Sequence, residues 1–204
     1  MTTTSTFRIP KATITGLYGR ILSAYARRTW GEVPDNAYVL WHNQKVMKAV
    51  FSFEQKVAKF NALDRDLSVL AQAATAATVG CSWCLDFGYY LAHSEGMDLE
   101  KIREVMRWRS SDVFSPVERE VLGYAEAMST TPLTVTDEMV ASLISHLGEE
   151  AVVELTMMIA IENERARFNS AAGLRSQGYS DVCEVPLPDL SHLHAAAGTV
   201  RSGS

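Results

Sequence analysis

The sequence predicts an all-α protein organised around one buried helix. Three observations carry that expectation. Apolar residues recur at helical spacing in segment after segment, with no sustained period-2 alternation and no hairpin signal. Start and stop signals bracket these segments. Ser115-Pro116-Val117-Glu118 reads as a capping box with proline at the first helical position, and Gly173 stands where a left-handed cap belongs. Residues 67–79 are nearly all apolar or small, including Leu67, Val69, Leu70, Ala71, Ala73, Ala74, Ala76 and Ala77. A helix without a polar face is buried on all sides, and small residues let its neighbours pack close.

In chain order, Ile14, Leu17, Ile21, Leu22 and Tyr25 recur at helical spacing, although Gly16 and Gly19 interrupt the pattern. Residues 30–34 form a connector, and Asp35 or Asn36 caps a short piece carrying Tyr38-Val39-Leu40-Trp41. His42-Asn43 is a polar turn with a capping role, before a longer helix with Val46, Val50, Phe51, Phe53 and Val57. A turn at 61–64 leads into the buried helix, expected over about 64–78. After Val79-Gly80 a second helix carries Leu85 to His93. Gly96-Met97-Asp98 ends it and caps a short helix at 99–106. The capped helix from Ser115 reaches about Met128, with Val121, Leu122, Tyr124 and Ala125 inward. Thr134 or Thr136 opens another that ends at Gly148. The last helix covers 149–172. From Pro186 on, little apolar bulk remains, which suggests a docked strap and then a loose tail.

The 204 residues suit one domain, or one domain with arms, and suffice for a real core. A formal net charge of -5 gives no nucleic-acid surface, and no apolar run is long enough to span a membrane. The N-terminal residues lack the apolar stretch of a signal peptide. These features favour a cytoplasmic protein.

Chemistry concentrates at Cys81-Ser82-Trp83-Cys84, between the buried helix and the start of the next. At a helix start, unpaired N–H groups and the positive end of the dipole stabilise a thiolate. In a reducing compartment, a close CxxC pair suggests redox or metal chemistry rather than a staple. A structural zinc would need two further ligands, and no second CxxC or HxxxH occurs. A pair of small buried hydrophobes is the bland alternative. Cys183 is remote and reads as incidental. No cofactor is indicated.

Three passages give this layout a specific likeness. They are Leu63-Asp64-Arg65-Asp66-Leu67 running through the small-residue helix to Gly80-Cys81-Ser82-Trp83-Cys84, the stretch from Phe114 to Ala125, and Asn163 with Arg167-Phe168. Together they resemble the carboxymuconolactone decarboxylase family, which includes the alkylhydroperoxidase D-like proteins. The resemblance implies a helical bundle whose central buried helix leads into the CxxC. It covers a family domain at 36–174, which leaves an N-terminal arm and helix at 1–35 and a strap and flexible tail at 175–204. It also implies trimers or hexamers. It implies peroxide reduction in which Cys84 attacks and Cys81 closes the disulfide, which a thiol or dithiol reductant reopens.

The departures bear on the chemistry. Peroxidase members carry a glutamate twelve residues before the first cysteine and a histidine four after the second; here these are Val69 and Gly88. Some place a histidine where this chain has Trp83. A positioned acid or base contributes about 10²–10⁴-fold, so a slow peroxidase is expected. Trp83 could wall a pocket, and Gly88 could leave room beside Cys84 for an organic ligand. His93 is half a turn out of phase with Cys84. Asp86 reads as a first-turn charge favourable to the dipole, and Tyr89 and Tyr90 as packing. Glu162, Asn163, Glu164, Arg165 and Arg167 could line a site or pair between subunits, with a solvated helix end as the plainer reading. A redox-silent binding or assembly protein is the alternative function. A lactone decarboxylase comes third, since no constellation supports it.

Overall fold

The computed structural model describes residues 3–183 together with Leu187 and Leu190. It contains α1 (Gly16–Trp30), α2 (Asp35–Leu40), α3 (Gln44–Val57), α4 (Arg65–Val79), α5 (Ser82–Ser94), α6 (Leu99–Glu104), α7 (Pro116–Ser129), α8 (Asp137–Leu147) and α9 (Glu149–Ala172). Short 3-10 turns cover Val105–Arg107 and Tyr179–Cys183, and no strand occurs among the described residues. The tail expected from Pro186 lies outside the described residues, apart from Leu187 and Leu190.

α4 is the axis of the bundle, packing against α5, α7 and α9. Its Leu67, Val69, Leu70, Ala71, Ala74, Ala76 and Ala77 are buried, facing Val121, Leu122 and Ala125 of α7 and Leu155, Ile159 and Ala166 of α9 in one core. The alanines explain how three helices can crowd one. Local chemistry sets the starts. The side chains of Asn43, Asp64, Asp98 and Thr136 accept backbone N–H groups at the starts of α3, α4, α6 and α8. Ser115 and Glu118 form the expected reciprocal box on α7.

The N-terminal third departs from an inward-facing bundle. Leu17, Ile21 and Tyr25 of α1 point to solvent, with Leu17 66% exposed, while Gly19 and Ala26 face inward. Gly19 is needed there, because a Cβ on it would stand 2.9 Å from the Trp41 ring. α3 likewise exposes Val46, Phe51 and Phe53. No other element of the described chain covers these stripes closely, so the helical period is right but the face is outward.

Two segments outside the α-helices close the molecule. Thr4, Thr6 and Arg8 donate backbone N–H groups to the carbonyls of Ser176, Gly173 and Ala172. Residues 174–183 then cross α5, burying Leu174, Gln177, Tyr179 and Ser180.

Candidate functional site

The break between α4 and α5 delivers the CxxC. Gly80 adopts a left-handed conformation at φ 83° and ψ 30°, which a residue without Cβ accepts freely. Cys81 N–H then donates to Ala76 C=O and Gly80 N–H to Ala77 C=O, the paired bonds of a Schellman motif. This stop leaves Cys81 in extended conformation as the cap of α5, its Sγ accepting the Cys84 N–H at 3.2 Å. The two cysteines are joined as a disulfide, with Cα atoms 5.3 Å apart. They differ in access: Cys81 is 1% exposed and Cys84 is 8% exposed.

Cys84 lies in the buried core, and among the described residues few polar groups meet it. Asn169, near the end of α9, donates its Nδ2–H to Cys84 Sγ at 3.5 Å. Val69 is buried in the apolar core. Gly88, one turn on from Cys84, is half-buried, and a Cβ built there meets nothing within 4 Å. Trp83 is buried and stacks on Phe87 with ring centroids 5.2 Å apart. Its indole N–H donates to Gln177 Oε1 at 3.2 Å. Trp83 and Phe87 belong to an aromatic group with Trp30, Tyr90 and Tyr179. His93 is exposed. Tyr89 is buried, and that burial pushes its hydroxyl up to about 12, so it stays protonated at neutral pH.

Asp86 corrects the sequence reading. It lies beyond the first turn of α5 and is fully buried. Its carboxylate accepts the backbone N–H groups of Gln177, Gly178, Tyr179 and Ser180 at 2.7–3.1 Å, and the Ser180 hydroxyl at 2.7 Å. Asp86 is therefore the anchor of the crossing segment. Gln177 adds to it, accepting the Asp35 N–H and donating to the Val33 carbonyl.

The polar run of α9 is solvated only in part, at Glu164 and Arg167. Arg165 donates to both Glu54 carboxylate oxygens, to Glu162 and to Gln72, tying α9 to α3 and α4. Glu162 is buried, and burial raises its carboxyl to about 7, against the opposing pull of Arg165. Asn163 is tied to Ser129 and the Ile159 carbonyl, while Arg167 is exposed. Glu162 stands seven residues before Asn169, about 10 Å along the helix axis, and so out of direct reach of the sulfur. None of these groups fills the places of Val69 and Gly88.

Sequence reasoning missed Asn169. The available signal was a polar residue in phase with buried Ala166 and Ala172, four residues before the Gly173 cap. Spacing alone does not say which turn of α9 meets α5. Among the described residues, no group of three or more His, Cys, Asp or Glu side chains is placed to hold a metal ion. No helix of the described chain is long and apolar enough to cross a membrane. Two surface clefts, of about 580 and 410 Å³, are lined around Leu63 and Ser68 and around Trp108 and Met139, and neither is lined by a cysteine.

Comparison with known proteins agrees with this layout. The model of the carboxymuconolactone decarboxylase family matches residues 44–127. The uncharacterised Escherichia coli protein YnjA is 35% identical over 169 residues, covering 83% of this chain and 85% of YnjA. Among solved structures, the debrominase Bmp8 in complex with 2,3,4-tribromopyrrole superposes with a TM-score of 0.76 at 19% identity, covering 89% of this chain and all of Bmp8. An alkylhydroperoxidase D core protein from Ralstonia eutropha, described as peroxidase-related and uncharacterised, gives 0.69 at 18% identity, covering 81% of this chain and 91% of that one. On the family match, the YnjA likeness and the shared all-helical fold, the protein belongs to the carboxymuconolactone decarboxylase family and has the alkylhydroperoxidase D-like fold.

Proposed function

We propose that the protein is a thiol-dependent oxidoreductase that reduces an organic hydroperoxide through Cys81 and Cys84. The observation that carries this reading is the unequal pair at the start of α5. The sulfur of Cys81 caps the helix, and Cys81 is 1% exposed against 8% for Cys84, which lies one turn from the open space at Gly88. In the reduced protein the Cys84 thiolate attacks a peroxide oxygen. The O–O bond breaks, Cys84 takes the terminal OH to become a sulfenic acid, and the alkoxide leaves, taking a proton from water to become the alcohol. Cys81 attacks that sulfur, water leaves, and the disulfide closes. An external thiolate then attacks Cys84 Sγ and displaces the Cys81 thiolate, whose charge the Cys84 N–H and the helix terminus stabilise. A second external thiol releases the reductant as its disulfide. With Val69 and Gly88 in the relay positions, turnover is slow.

A second reading is favoured by the same two positions. Without a relay, and with room beside Cys84, the dithiol suits a two-electron reduction of another bond in an organic ligand. For a bromoarene the balance is replacement of C–Br by C–H, release of bromide and formation of the Cys81–Cys84 disulfide. The fold likeness to Bmp8 supports testing it.

One experiment addresses both. Wild type and Cys84→Ser are given a dithiol reductant with either cumene hydroperoxide or a brominated pyrrole. Turnover of the hydroperoxide that vanishes in Cys84→Ser supports the first reading, and bromide release that vanishes supports the second. No loss of free thiol with either compound leaves the redox-silent binding protein.

The outward apolar stripes of α1 and α3 support a further part of this reading, assembly with copies of the same chain. Light scattering on wild type should give a multiple of the monomer mass, and Leu17→Glu should lower it. A monomeric wild type would end that idea.

A further inference from the structure

The places where a proton relay is expected hold Val69 and Gly88, yet the sulfur of Cys84 is not without a polar neighbour. The Asn169 carboxamide is 2% exposed and directs an N–H at Cys84 Sγ from 3.5 Å. Its position is fixed from its own backbone. Gly173 ends α9 in left-handed conformation at φ 77°, and Leu174 N–H donates to the Asn169 carbonyl at 2.9 Å. Asn169 thus sits in the last, locked turn of a long helix packed on α4 and α5. A buried carboxamide is costly to bury without partners, so a sulfur as its neighbour invites a reason.

We propose that Asn169 is a catalytic residue that activates Cys84 by donating a hydrogen bond to its thiolate, in place of an acid–base relay. The proposal rests on the thiol–disulfide reading above. An N–H facing a disulfide sulfur makes a weak bond, and the same N–H facing a thiolate makes a charge-assisted one, roughly twice as strong. The contact therefore favours the ionised, reduced form, which is the nucleophile. A carboxamide does not titrate, so it stabilises the anion at every pH and carries no proton. The division of labour follows: the helix terminus serves Cys81 through the Cys84 N–H, and Asn169 serves Cys84.

The test reads ionisation alone, with neither peroxide nor reductant. Full-length protein carrying Cys81→Ser and Cys183→Ser keeps Cys84 as its single thiol, and serine preserves a capping oxygen on α5. Thiolate absorbance and the rate of iodoacetamide alkylation are followed against pH. Adding Asn169→Leu should leave roughly ten- to hundredfold less thiolate at pH 7, from the loss of one hydrogen bond to a charged group. Asn169→Asp should leave less still, because a carboxylate repels the thiolate. The alkylation rate of the Asn169 protein should rise through a single thiol ionisation to a plateau. Unchanged titration in a folded Asn169→Leu protein would overturn the proposal while leaving Cys84 turnover intact. If that variant does not fold, the Asn169 side-chain amide resonances of the Cys81→Ser, Cys183→Ser protein decide. They should shift with Cys84 ionisation, and resonances that stay still overturn the proposal.

Discussion

Cys84 and Asp86 stand two residues apart on α5 and face opposite ways. At about 100° per residue they are more than half a turn round from each other. The Asp86 side is saturated: five hydrogen bonds converge on one carboxylate, all from residues 177–180. Among the described residues, the Cys84 side holds one neutral donor and open space at Gly88. The difference separates anchoring from reactivity. A charge that must stay in place is wrapped in donors. Under the proposed thiol–disulfide chemistry, a sulfur that must exchange partners is left with few, and the anchored side holds the helix still.

Breaking the saturated side should have the largest effect. Asp86→Ala leaves four backbone N–H groups and a hydroxyl without their acceptor. Chemical denaturation should show a loss of roughly 3 kcal/mol or more, with early proteolytic cleavage at 175–183. An unchanged midpoint would mean that the segment is held by its apolar residues instead.

The Glu54–Arg165–Glu162 cluster offers a third environment, charged and away from both. Burial raises Glu162 to about 7 from an ordinary 4.5, so the folded protein holds that proton more tightly than the unfolded chain. The stabilising contribution is complete below about 4.5 and is lost as pH rises to about 7. Its slope approaches roughly 1.4 kcal/mol per pH unit inside that window. Glu162→Gln, a neutral mimic of the protonated form, should remove this slope from melting curves recorded across the window. A slope that survives would belong to another group.

The open side gives the smallest stability effect and the sharpest functional one. Gly88→Ala meets no neighbour and relieves a helix-interior glycine, so it should gain about 0.5–1 kcal/mol. If ligands reach Cys84 past Gly88, Gly88→Val should slow cumene hydroperoxide turnover more than hydrogen peroxide turnover. Equal slowing would place the route elsewhere.

The difference between the two sides of α5 also marks what could be read in advance. The central helix, the Ser115 box, the Gly173 stop and the CxxC at a helix start are local features, set by residues within one or two turns. They were legible. Asp86 was misread as a dipole charge because its partners lie more than 90 residues away. The same applies to the α9 polar run, whose Arg165 meets a glutamate 111 residues earlier. The helical period of Leu17, Ile21 and Tyr25 was correct, but period alone does not say whether a stripe turns to the core or to the surface.

The pairing of residues 4–8 with residues 172–176 has a consequence in time rather than in space. These bonds join positions 164 to 172 residues apart, whereas the α4–α5 corner closes through contacts three to five residues apart. Chain entropy makes local corners quick and distant closures slow. The dithiol corner is therefore expected to form early, before the distant pairing closes. Pulse-labelling hydrogen exchange should show the Gly80 and Cys81 amides protected ahead of those of Thr4, Thr6 and Arg8.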